Sequence, residues 1–372
     1  MLVVFGTRPE AIKLAPVIKA LEGVYPAKVC VSGQHRDMLS QTLNSLGVVP
    51  HINLDVMEPG QGLNELAANF IAAFSPVLQE LQPRLILVQG DTTTAFIAGL
   101  AAYYEGIEVA HVEAGLRTGD IRSPWPEEGN RKLLTAITNL HFAPTATAAR
   151  SLLKEGVERD DIFVTGNTVI DTLLQTKAEL LSSPDEQNHY REVFAHFIDR
   201  DIVLITGHRR ESFGEGFRQI CRAINELARQ FETCNFVYPV HMNPQVKHVV
   251  ESELSDKRNV FLIEPQSYRS FVYLMMQSKI ILTDSGGIQE EAPSLGKPVV
   301  VMRDKTERPE AVTAGTVVLA GADEARIVRE VEKLLTDDAW FQKMSQELNP
   351  YGDGTAAQKI VETLMKRFSD GR

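Results

Sequence analysis

The sequence predicts an α/β protein with a parallel sheet in each half of the chain. Short runs rich in Val, Ile and Leu alternate with longer amphipathic stretches, the pattern typical of parallel strands joined by helices. The halves mirror each other: Leu87–Asp91 leads into a helix, Gly106 and a strand, as Leu282–Gly287 leads into a helix, Gly296 and a strand. At 372 residues the chain suits two domains of roughly 150–200 residues each. We therefore expect two Rossmann-like domains that face each other across a cleft.

Strands and helices are expected to alternate through the first half. The predicted strands are Leu2–Phe5, Lys28–Ser32, Leu85–Val88, Val109–Val112 and Leu140–Ala143. The predicted helices are Pro9–Glu22, Leu63–Glu80, Thr93–Tyr104 and Glu127–Thr138. The first helix has a clear start signal, because Thr7 is a cap residue, Pro9 lies in the first turn and Glu10 follows the cap by three residues.

The second half repeats this order. The predicted strands are Ile202–Thr206, Phe236–Pro239, Val260–Ile263, Ile280–Thr283 and Val299–Met302. The predicted helices include Gly216–Phe231, Tyr268–Gln277, Ile288–Leu295 and, near the end of the chain, Ala356–Phe368. We expect an N-terminal domain over residues 1–168, a C-terminal domain over 169–355, and a last helix, 356–372, that packs back on the first domain. A ligand should bind at the carboxyl ends of the strands.

The composition excludes several classes of function. The formal net charge of -11 argues against a nucleic-acid partner, which would need a basic surface. No apolar run approaches the ~18 residues of a membrane span. The cysteines, Cys30, Cys221 and Cys234, share no CxxC spacing, which predicts neither a disulfide framework nor a zinc site. The chain starts with the strand-like Leu2–Phe5 and lacks a basic region followed by a cleavage site, so we expect a cytoplasmic protein.

A glycine-containing turn is the first candidate for ligand binding. Asp284–Glu291 is predicted to join a strand to a helix, and Gly286 and Gly287 would let backbone amides approach a diphosphate. The segment is neither GxGxxG nor a P-loop, which weakens an NAD or ATP interpretation. Glu291 could accept hydrogen bonds from ribose hydroxyls. The alternative is a tight turn with a solvated acidic helix start.

Cations and acids that follow strands form the other candidates. Arg8, Lys13 and Arg308 are suited to phosphate, although an isolated cation is more often an exposed surface residue. Proton transfer is suggested by Asp91, Glu113 and His208 at strand ends, and by Glu127, which follows the stiff Ser123–Pro126 loop. Each of these acids alone is more often a cap or a salt-bridge partner. The other histidines show no HExxH spacing, so no catalytic metal is expected.

Six blocks of sequence occur in one order along the chain. They are Gly6–Lys13, Gly90–Thr92, His111–Arg117, Pro124–Glu128, Gly207–Glu211 and Thr283–Gly287, extended by Thr306–Glu310 and Pro350–Gly354. Together they resemble the bacterial non-hydrolysing UDP-N-acetylglucosamine 2-epimerases. The resemblance implies the glycosyltransferase-B fold, usually as a homodimer, with no nicotinamide cofactor and no obligatory metal.

The resemblance also implies a reaction: reversible epimerisation at C2 of UDP-N-acetylglucosamine to UDP-N-acetylmannosamine. UDP leaves C1 as the C2 proton is removed, and it re-adds to 2-acetamidoglucal with C2 protonated on the other face. Carried over by motif, the catalytic residues would be Asp91, Glu113, Glu127 and His208, with the base and the acid among them left open. The phosphates would be held by Arg8, Lys13, Ser285, Gly286, Gly287 and Arg308, the ribose by Glu291 and the uracil by Gln266 and Phe271. From pattern alone, Phe271 would instead be a core residue of an amphipathic helix.

Many members of the family resembled also bind a second UDP-N-acetylglucosamine as an activator. The matching positions are Gln34, His35, Arg209, Glu211 and His241. Asp37 and Asn69 depart from the family pattern, in which longer polar or cationic residues are common, so the resemblance leaves activation open. Two other functions also stay open: a glycosyltransferase of the same fold that uses UDP-N-acetylglucosamine, and a non-catalytic sugar-nucleotide sensor.

Overall fold

The protein forms two compact α/β units. A computed structural model describes residues 1–33, 36–58, 60–207, 214–241, 243–346 and 350–369, with the side chains of 36–38 and 245 outside the description. The first unit comprises Met1–Thr172 and Tyr351–Arg372, and the second comprises Leu173–Pro350. None of the helices in these ranges is long and apolar enough to cross a bilayer.

The first unit is a parallel sheet flanked by helices. Its strands are β1 Leu2–Phe5, β2 Lys28–Val31, β3 Ile52–Asn53, β4 Leu85–Gln89, β5 Glu108–Val112, β6 Leu140–Ala143 and β7 Ile162–Val164. Its helices are α1 Arg8–Leu21, α2 Arg36–Leu46, α3 Leu63–Leu81, α4 Thr93–Tyr104, α5 Glu127–Thr135 and α6 Ala146–Lys154, with α7 Thr168–Ser182 running on into the second unit. The strand order is β3-β2-β1-β4-β5-β6-β7. All neighbouring strands pair in parallel.

The second unit has a parallel sheet of similar plan. Its strands are β8 Ile202–Thr206, β9 Asn235–Pro239, β10 Val260–Ile263, β11 Ile280–Thr283, β12 Val299–Val301 and β13 Val317–Leu319, in the order β10-β9-β8-β11-β12-β13. Its helices are α8 Pro184–Val193, α9 Glu215–Gln230, α10 Pro244–Leu254, α11 Tyr268–Gln277, α12 Ile288–Glu291, α13 Pro309–Ala314, α14 Glu324–Thr336 and α15 Asp338–Met344. The predicted α/β class, with two Rossmann-like sheets, is confirmed.

Each of the ten predicted strands is present, with its ends within one residue of the prediction, whereas β3, β7 and β13 were not predicted. The central strands are fully buried: no residue of Leu2–Phe5 is exposed, because both faces of the sheet are covered by helices. The predicted start of α1 is also confirmed, since the Thr7 side chain and Glu10 form a reciprocal capping box.

Two predicted helices are wrong in part: α5 ends at Thr135 instead of Thr138, and α12 also ends early. The α-helical turn of α12 stops at Glu291, and Pro293–Leu295 forms a 3-10 turn instead of continuing to Leu295 as an α-helix. Proline at position 293 has no N–H to donate to the preceding turn, so the α-helical ladder cannot continue through it. Gly296 then ends the segment in the left-handed region, at φ 67°.

The last helix, α16 Ala356–Ser369, lies in the first unit. The Asp171 carboxylate accepts hydrogen bonds from the backbone N–H groups of Ala356, at 3.3 Å, and Ala357, at 2.8 Å, which satisfies donors at the start of the helix. At the other end, Arg367 Nη2 lies 2.6 Å from Glu108 Oε1. The chain therefore leaves the first unit within α7 and returns to it before α16.

Candidate active site

The carboxyl edge of the first sheet has a topological switch point between β1 and β4. Strands β2 and β3 lie on one side of β1, whereas β4 to β7 lie on the other, and α/β proteins bind ligands at such points. Arg8 is the half-buried first residue of α1, directly after β1. Asp91 and Glu113 follow β4 and β5, which are neighbours in the sheet. The structure thus brings three of the predicted site residues to one edge.

Glu113 is held by donors from three other elements of the first unit. The Lys13 ammonium on α1 lies 2.6 Å from both Glu113 oxygens. Gln89 Nε2, at the end of β4, also donates to Oε2, and Asn167 Nδ2, after β7, donates to Oε1 at 2.8 Å. Glu113 is only 8% exposed. An ammonium and two amide N–H donors favour the ionised carboxylate over the protonated form.

The backbone at Glu113 is in the left-handed region, with φ 66°. A non-glycine residue there costs about 1–3 kcal/mol and is often found at functional sites. A Cβ at Gly90 in the neighbouring turn would be in ordinary van der Waals contact with Glu113 Oε2, at 3.5 Å. The buried imidazole of His111 lies 2.7 Å from the Gly90 carbonyl oxygen and fixes this turn from β5.

Asp91 is linked to α5 through an arginine. Arg131 Nη2 lies 2.5 Å from Asp91 Oδ2, and Arg131 Nη1 lies 2.9 Å from Oε2 of the fully buried Glu128. Asn130, the residue before Arg131, donates from Nδ2 to the backbone carbonyl of Asp91 at 2.9 Å. Glu128 in turn accepts N–H bonds from Thr118 and Gly119. Arg131 therefore holds the Asp91 carboxylate through Oδ2, and the Asp91 side chain remains 29% exposed.

Glu127 is the first residue of α5 and lies one turn before Asn130 and Arg131. Residues three and four apart share a helix face, so Glu127 projects from the face of α5 that serves Asp91. Its Oε2 atom is buried and makes no hydrogen bond to the part of the chain that the structure describes. A buried carboxylate oxygen without a protein partner is unusual and is the kind of group that a substrate hydroxyl or water satisfies.

The second sheet has its own switch point, between β8 and β11. The Thr206 and Thr283 hydroxyls, at the ends of these strands, lie 2.5 Å apart, and Thr283 Oγ1 accepts the Ser285 N–H at 2.9 Å. The predicted ligand turn at 284–287 therefore begins at the carboxyl edge of the sheet, where α/β proteins bind ligands.

Arg308 packs directly against this turn. A Cβ added to Gly286 would stand 2.5 Å from Arg308 Nη1, so only glycine permits the approach. The guanidinium is buried and pairs with Glu290 through Nε and with Glu307 through Nη1, at 2.5 Å. Arg308, the predicted phosphate-binding residue, is thus held by two carboxylates next to the glycine turn.

Glu291 is buried as well. Tyr268 Oη donates to its Oε1 at 2.9 Å. Because Glu290 and Glu291 are 1% and 6% exposed, the alternative of a solvated acidic helix start is wrong. Burial raises the pKa of the Tyr268 hydroxyl well above its usual value, which keeps it a donor to the carboxylate.

The two predicted uracil residues lie around the start of α11. Gln266 Nε2 donates to the Glu264 carbonyl at 2.6 Å, and Gln266 Oε1 accepts from the Ser270 hydroxyl at 2.7 Å. Phe271, in the first turn of α11, is half-buried. Phe271 is not one of the fully buried hydrophobic residues of the second unit.

Several predicted residues lie outside the described part of the chain. They are His208, Arg209, Glu211, Gln34 and His35. His241 is exposed, and its Nδ1 accepts the Asn243 N–H at 3.1 Å. Asn69 is an exposed residue of α3, and the Asp37 side chain is not described. Among the residues in the described ranges, no group of three or more His, Cys, Asp or Glu side chains could hold a metal ion.

Sequence reasoning missed the groups that hold the acids. Gln89 could have been found, because it ends a predicted strand next to Gly90 and Asp91. Glu128 and Arg131 have the i, i+3 spacing of a helical ion pair, which is a weaker signal. No local sequence pattern indicates Asn167, because β6 and β7 separate it from Glu113 along the chain.

Two Rossmann-like units, with carboxylates after the strands of one and a glycine turn after a strand of the other, define an α/β enzyme of the glycosyltransferase-B class. The model of one family, UDP-N-acetylglucosamine 2-epimerase, matches residues 20–365. The UDP-N-acetylglucosamine 2-epimerase of Escherichia coli (strain K12) is 53% identical over 368 residues, which cover 98% of each chain. The chain therefore belongs to the UDP-N-acetylglucosamine 2-epimerase family.

Solved structures agree with this assignment. A crystal structure of UDP-GlcNAc 2-epimerase from Neisseria meningitidis bound to UDP-GlcNAc has a TM-score of 0.96 and 48% identity, covering 98% of this chain and 99% of that one. The UDP-GlcNAc 2-epimerase of Methanocaldococcus jannaschii in complex with UDP-GlcNAc and UDP has a TM-score of 0.86 and 33% identity, with the same coverage.

Proposed function

We propose that this chain catalyses the reversible epimerisation of UDP-N-acetylglucosamine to UDP-N-acetylmannosamine. UDP leaves C1 while the proton leaves C2, 2-acetamidoglucal forms, and UDP re-adds as C2 is protonated on the opposite face. Membership of the family and the similarity to proteins solved with UDP-GlcNAc support the substrate. The C2 hydrogen is only weakly acidic, so its removal requires a positioned base and a stabilised leaving group.

The observation that carries the proposal is the set of carboxylates at the first switch point. Glu113 is held by donors that favour its ionised form, Asp91 is held by Arg131, and Glu127 has a buried oxygen without a protein partner. Inversion at C2 requires proton-transfer groups on two faces of the sugar, and the presence of several acids in different settings supports the proposal. With His208, these three residues are the catalytic set that we propose, and the base and the acid among them are not assigned.

UDP is proposed to be held chiefly by the second unit. Ser285, Gly286 and Gly287 offer the turn at β11, and Arg308 offers a guanidinium beside it. Glu291, Gln266 and Phe271 are proposed to take the ribose and the uracil, and Arg8 and Lys13 to add positive charge from the first unit. In the structure, Lys13 Nζ lies 2.6 Å from Glu113 Oε1.

Three further parts of the proposal concern assembly, place and regulation. We propose a cytoplasmic homodimer, on the resemblance to the family. A second UDP-sugar as activator would use Gln34, His35, Arg209, Glu211 and His241. Because Asp37 and Asn69 supply no cation where one is common, we expect weak activation. Nearly hyperbolic rate curves would support this expectation, and strong sigmoidicity would contradict it.

The test is incubation of the protein with UDP-N-acetylglucosamine alone in deuterated water. The proposal predicts UDP-N-acetylmannosamine in the product and deuterium at C2 of both sugars. A glycosyltransferase would instead release UDP only when an acceptor is added. A sensor would bind the nucleotide sugar tightly and exchange no isotope. Either of these results would contradict the proposed function.

A further inference from the structure

Asn167 joins the candidate catalytic acid to the place where the chain returns to the first unit. Its side chain is 1% exposed, and Nδ2 donates to Glu113 Oε1 at 2.8 Å. Its backbone N–H donates to the Tyr351 carbonyl at 2.6 Å. Tyr351 is the first residue of the returning segment, directly after Pro350 ends the second unit. One residue thus bonds both the acid and the return point.

The packing around this link is tight on the backbone side. Gly166 has φ 90°, and a Cβ there would stand 3.1 Å from the Tyr351 carbonyl oxygen and 3.2 Å from Gly352 Cα. Tyr351 itself is 1% exposed. The outgoing chain crosses to the second unit between Thr172 and Leu173, a few residues after Asn167. The outgoing crossing therefore lies close to Asn167 along the chain, and the return point at Tyr351 is joined to Asn167 by a hydrogen bond.

We propose that Asn167 is a positioning residue that sets the Glu113 carboxylate for transfer of the C2 proton and ties its position to the two chain crossings. The inference rests on the proposed function, in which Glu113 is one of the catalytic acids. The amide is suited to this task because Nδ2 can only donate and therefore accepts no proton from the carboxylate. Oδ1 is used locally, accepting the Val169 N–H at 3.3 Å, which fixes the orientation of the amide.

The direct test replaces the donor by an acceptor of the same size. In Asn167→Asp, a second carboxylate faces Glu113, and like charges disfavour ionisation of both. We expect kcat at neutral pH to fall by about tenfold or more and the acid limb of the kcat profile to move to higher pH, with KM changed by less than about threefold. Asn167→Ser, which removes the donor but adds no charge, should lower kcat with a smaller displacement of the pH profile than Asn167→Asp.

A matched control is Asn139→Asp. Asn139 is an exposed residue of the same unit, and its Oδ1 accepts the Val109 N–H at 2.9 Å, a role that aspartate can keep. This variant makes the same change of charge away from Glu113 and should retain the kcat and pH profile of the unmodified protein. If Asn167→Asp behaved like Asn139→Asp, the positioning role would be overturned.

The link to the chain crossing is tested with two glycines. Gly166→Ala places a Cβ against Tyr351, whereas Gly156→Ala makes the same substitution at φ 86° with no atom within 4 Å. Both variants bear the strain of alanine at positive φ, and Gly166→Ala should lose more stability because its Cβ also crowds the Tyr351 carbonyl. Only Gly166→Ala should also lower kcat and alter its pH profile. Equal kinetic behaviour of the two would contradict the coupling to the crossing.

A readout independent of turnover separates this inference from the proposed function. Carboxyl carbon NMR of protein labelled at glutamate, with the Glu113 signal assigned by its loss in Glu113→Gln, follows ionisation of this group directly. Asn167→Asp should raise the titration midpoint of that signal, and Asn139→Asp should not. If the unmodified protein exchanged no deuterium into its substrate, the proposed function would fail, while the titration would still decide whether Asn167 governs Glu113.

Discussion

At the scale of single residues, the acids of the first unit differ in how they are held. Within the described ranges, Glu113 accepts hydrogen bonds from Lys13, Gln89 and Asn167, whereas Asp91 shares one arginine with the buried Glu128. Different surroundings can give similar carboxylates different proton affinities, which is how a single site provides both a base and an acid. Asp91 and Glu113 therefore stand in different surroundings, as two residues with different roles would.

The buried ion pair of Arg131 and Glu128 gives a stability prediction. Arg131→Met leaves the fully buried Glu128 without its cation and should reduce the free energy of unfolding by about 3–5 kcal/mol. The double variant Arg131→Met with Glu128→Gln removes the charge left behind and should recover part of this loss. Urea unfolding of both variants measures the difference.

The control for this prediction is the exposed pair of Arg229 and Glu226, which has the same i, i+3 spacing. Arg229→Met should cause no measurable loss, because water solvates the glutamate that remains. Equal losses in Arg131→Met and Arg229→Met would show that burial of Glu128 is not the cause.

Two buried histidines predict a pH dependence of stability. Burial lowers the pKa of His111 to about 3 and that of His141 to about 4, whereas in an unfolded chain both titrate near 6.5. The folded state favours the neutral rings, so their contribution to stability is complete above about pH 6.5 and is lost as the pH falls towards 4 and 3. In His111→Gln, the slope of unfolding free energy against pH between these limits should be smaller by up to about 1.4 kcal/mol per pH unit. Urea unfolding at several pH values gives the slope, and an unchanged slope would contradict the assignment.

At the scale of elements, the turn after β11 is the feature that glycine makes possible. Gly286→Ala would force the Arg308 guanidinium away from the turn, because the added Cβ would stand 2.5 Å from Nη1. We expect the affinity for UDP to fall by about tenfold or more, which is about 1.4 kcal/mol of binding free energy. Isothermal titration calorimetry with UDP measures the change.

The control for the turn is Gly62→Ala at the start of α3. A Cβ there meets no atom within 4 Å, and φ is -74°, which alanine adopts without strain. This variant should bind UDP as the unmodified protein does. Unchanged affinity in Gly286→Ala would mean that Arg308 and the turn do not contact UDP.

The strands of both sheets could be predicted because each is a short apolar run that helices bury on both faces. The strands that were missed, β3, β7 and β13, lie at or near the edges, have two or three residues each and are less completely buried. The end of α12 was wrong because hydrophobic spacing outweighed Pro293 in the prediction, although proline cannot donate the hydrogen bond that a continuing helix needs.

The candidate acids could be predicted for a related reason: residues after parallel strands gather at one edge of a sheet. The residues that hold these acids could not be predicted from the sequence. Asn167 is 54 residues from Glu113 and Lys13 is 100 residues from it, so these contacts depend on the strand order, which local patterns do not determine. The sequence therefore predicts which side chains carry the chemistry better than it predicts what holds them.

At the scale of the whole molecule, the two units provide different parts of the proposed reaction. UDP should bind the second unit and slow amide hydrogen exchange most strongly around Thr283–Ile288 and the end of β8. Ligand that binds only the folded state stabilises it by mass action, about 2.7 kcal/mol at a concentration 100 times Kd. Hydrogen exchange followed by mass spectrometry, with and without UDP, locates the protection. Protection confined to α14 and α15 would contradict the proposed UDP site.

The central claim is that acids of the first unit transfer the C2 proton of a UDP-sugar. The most direct measurement is the rate of deuterium incorporation at C2 in deuterated water for Glu113→Gln, compared with Glu105→Gln, an exposed glutamate of the same unit that accepts from Gln79 at 3.1 Å. The account predicts a loss of about 10²- to 10⁴-fold in Glu113→Gln and no loss in Glu105→Gln. Exchange at the unmodified rate in a folded Glu113→Gln protein would contradict it.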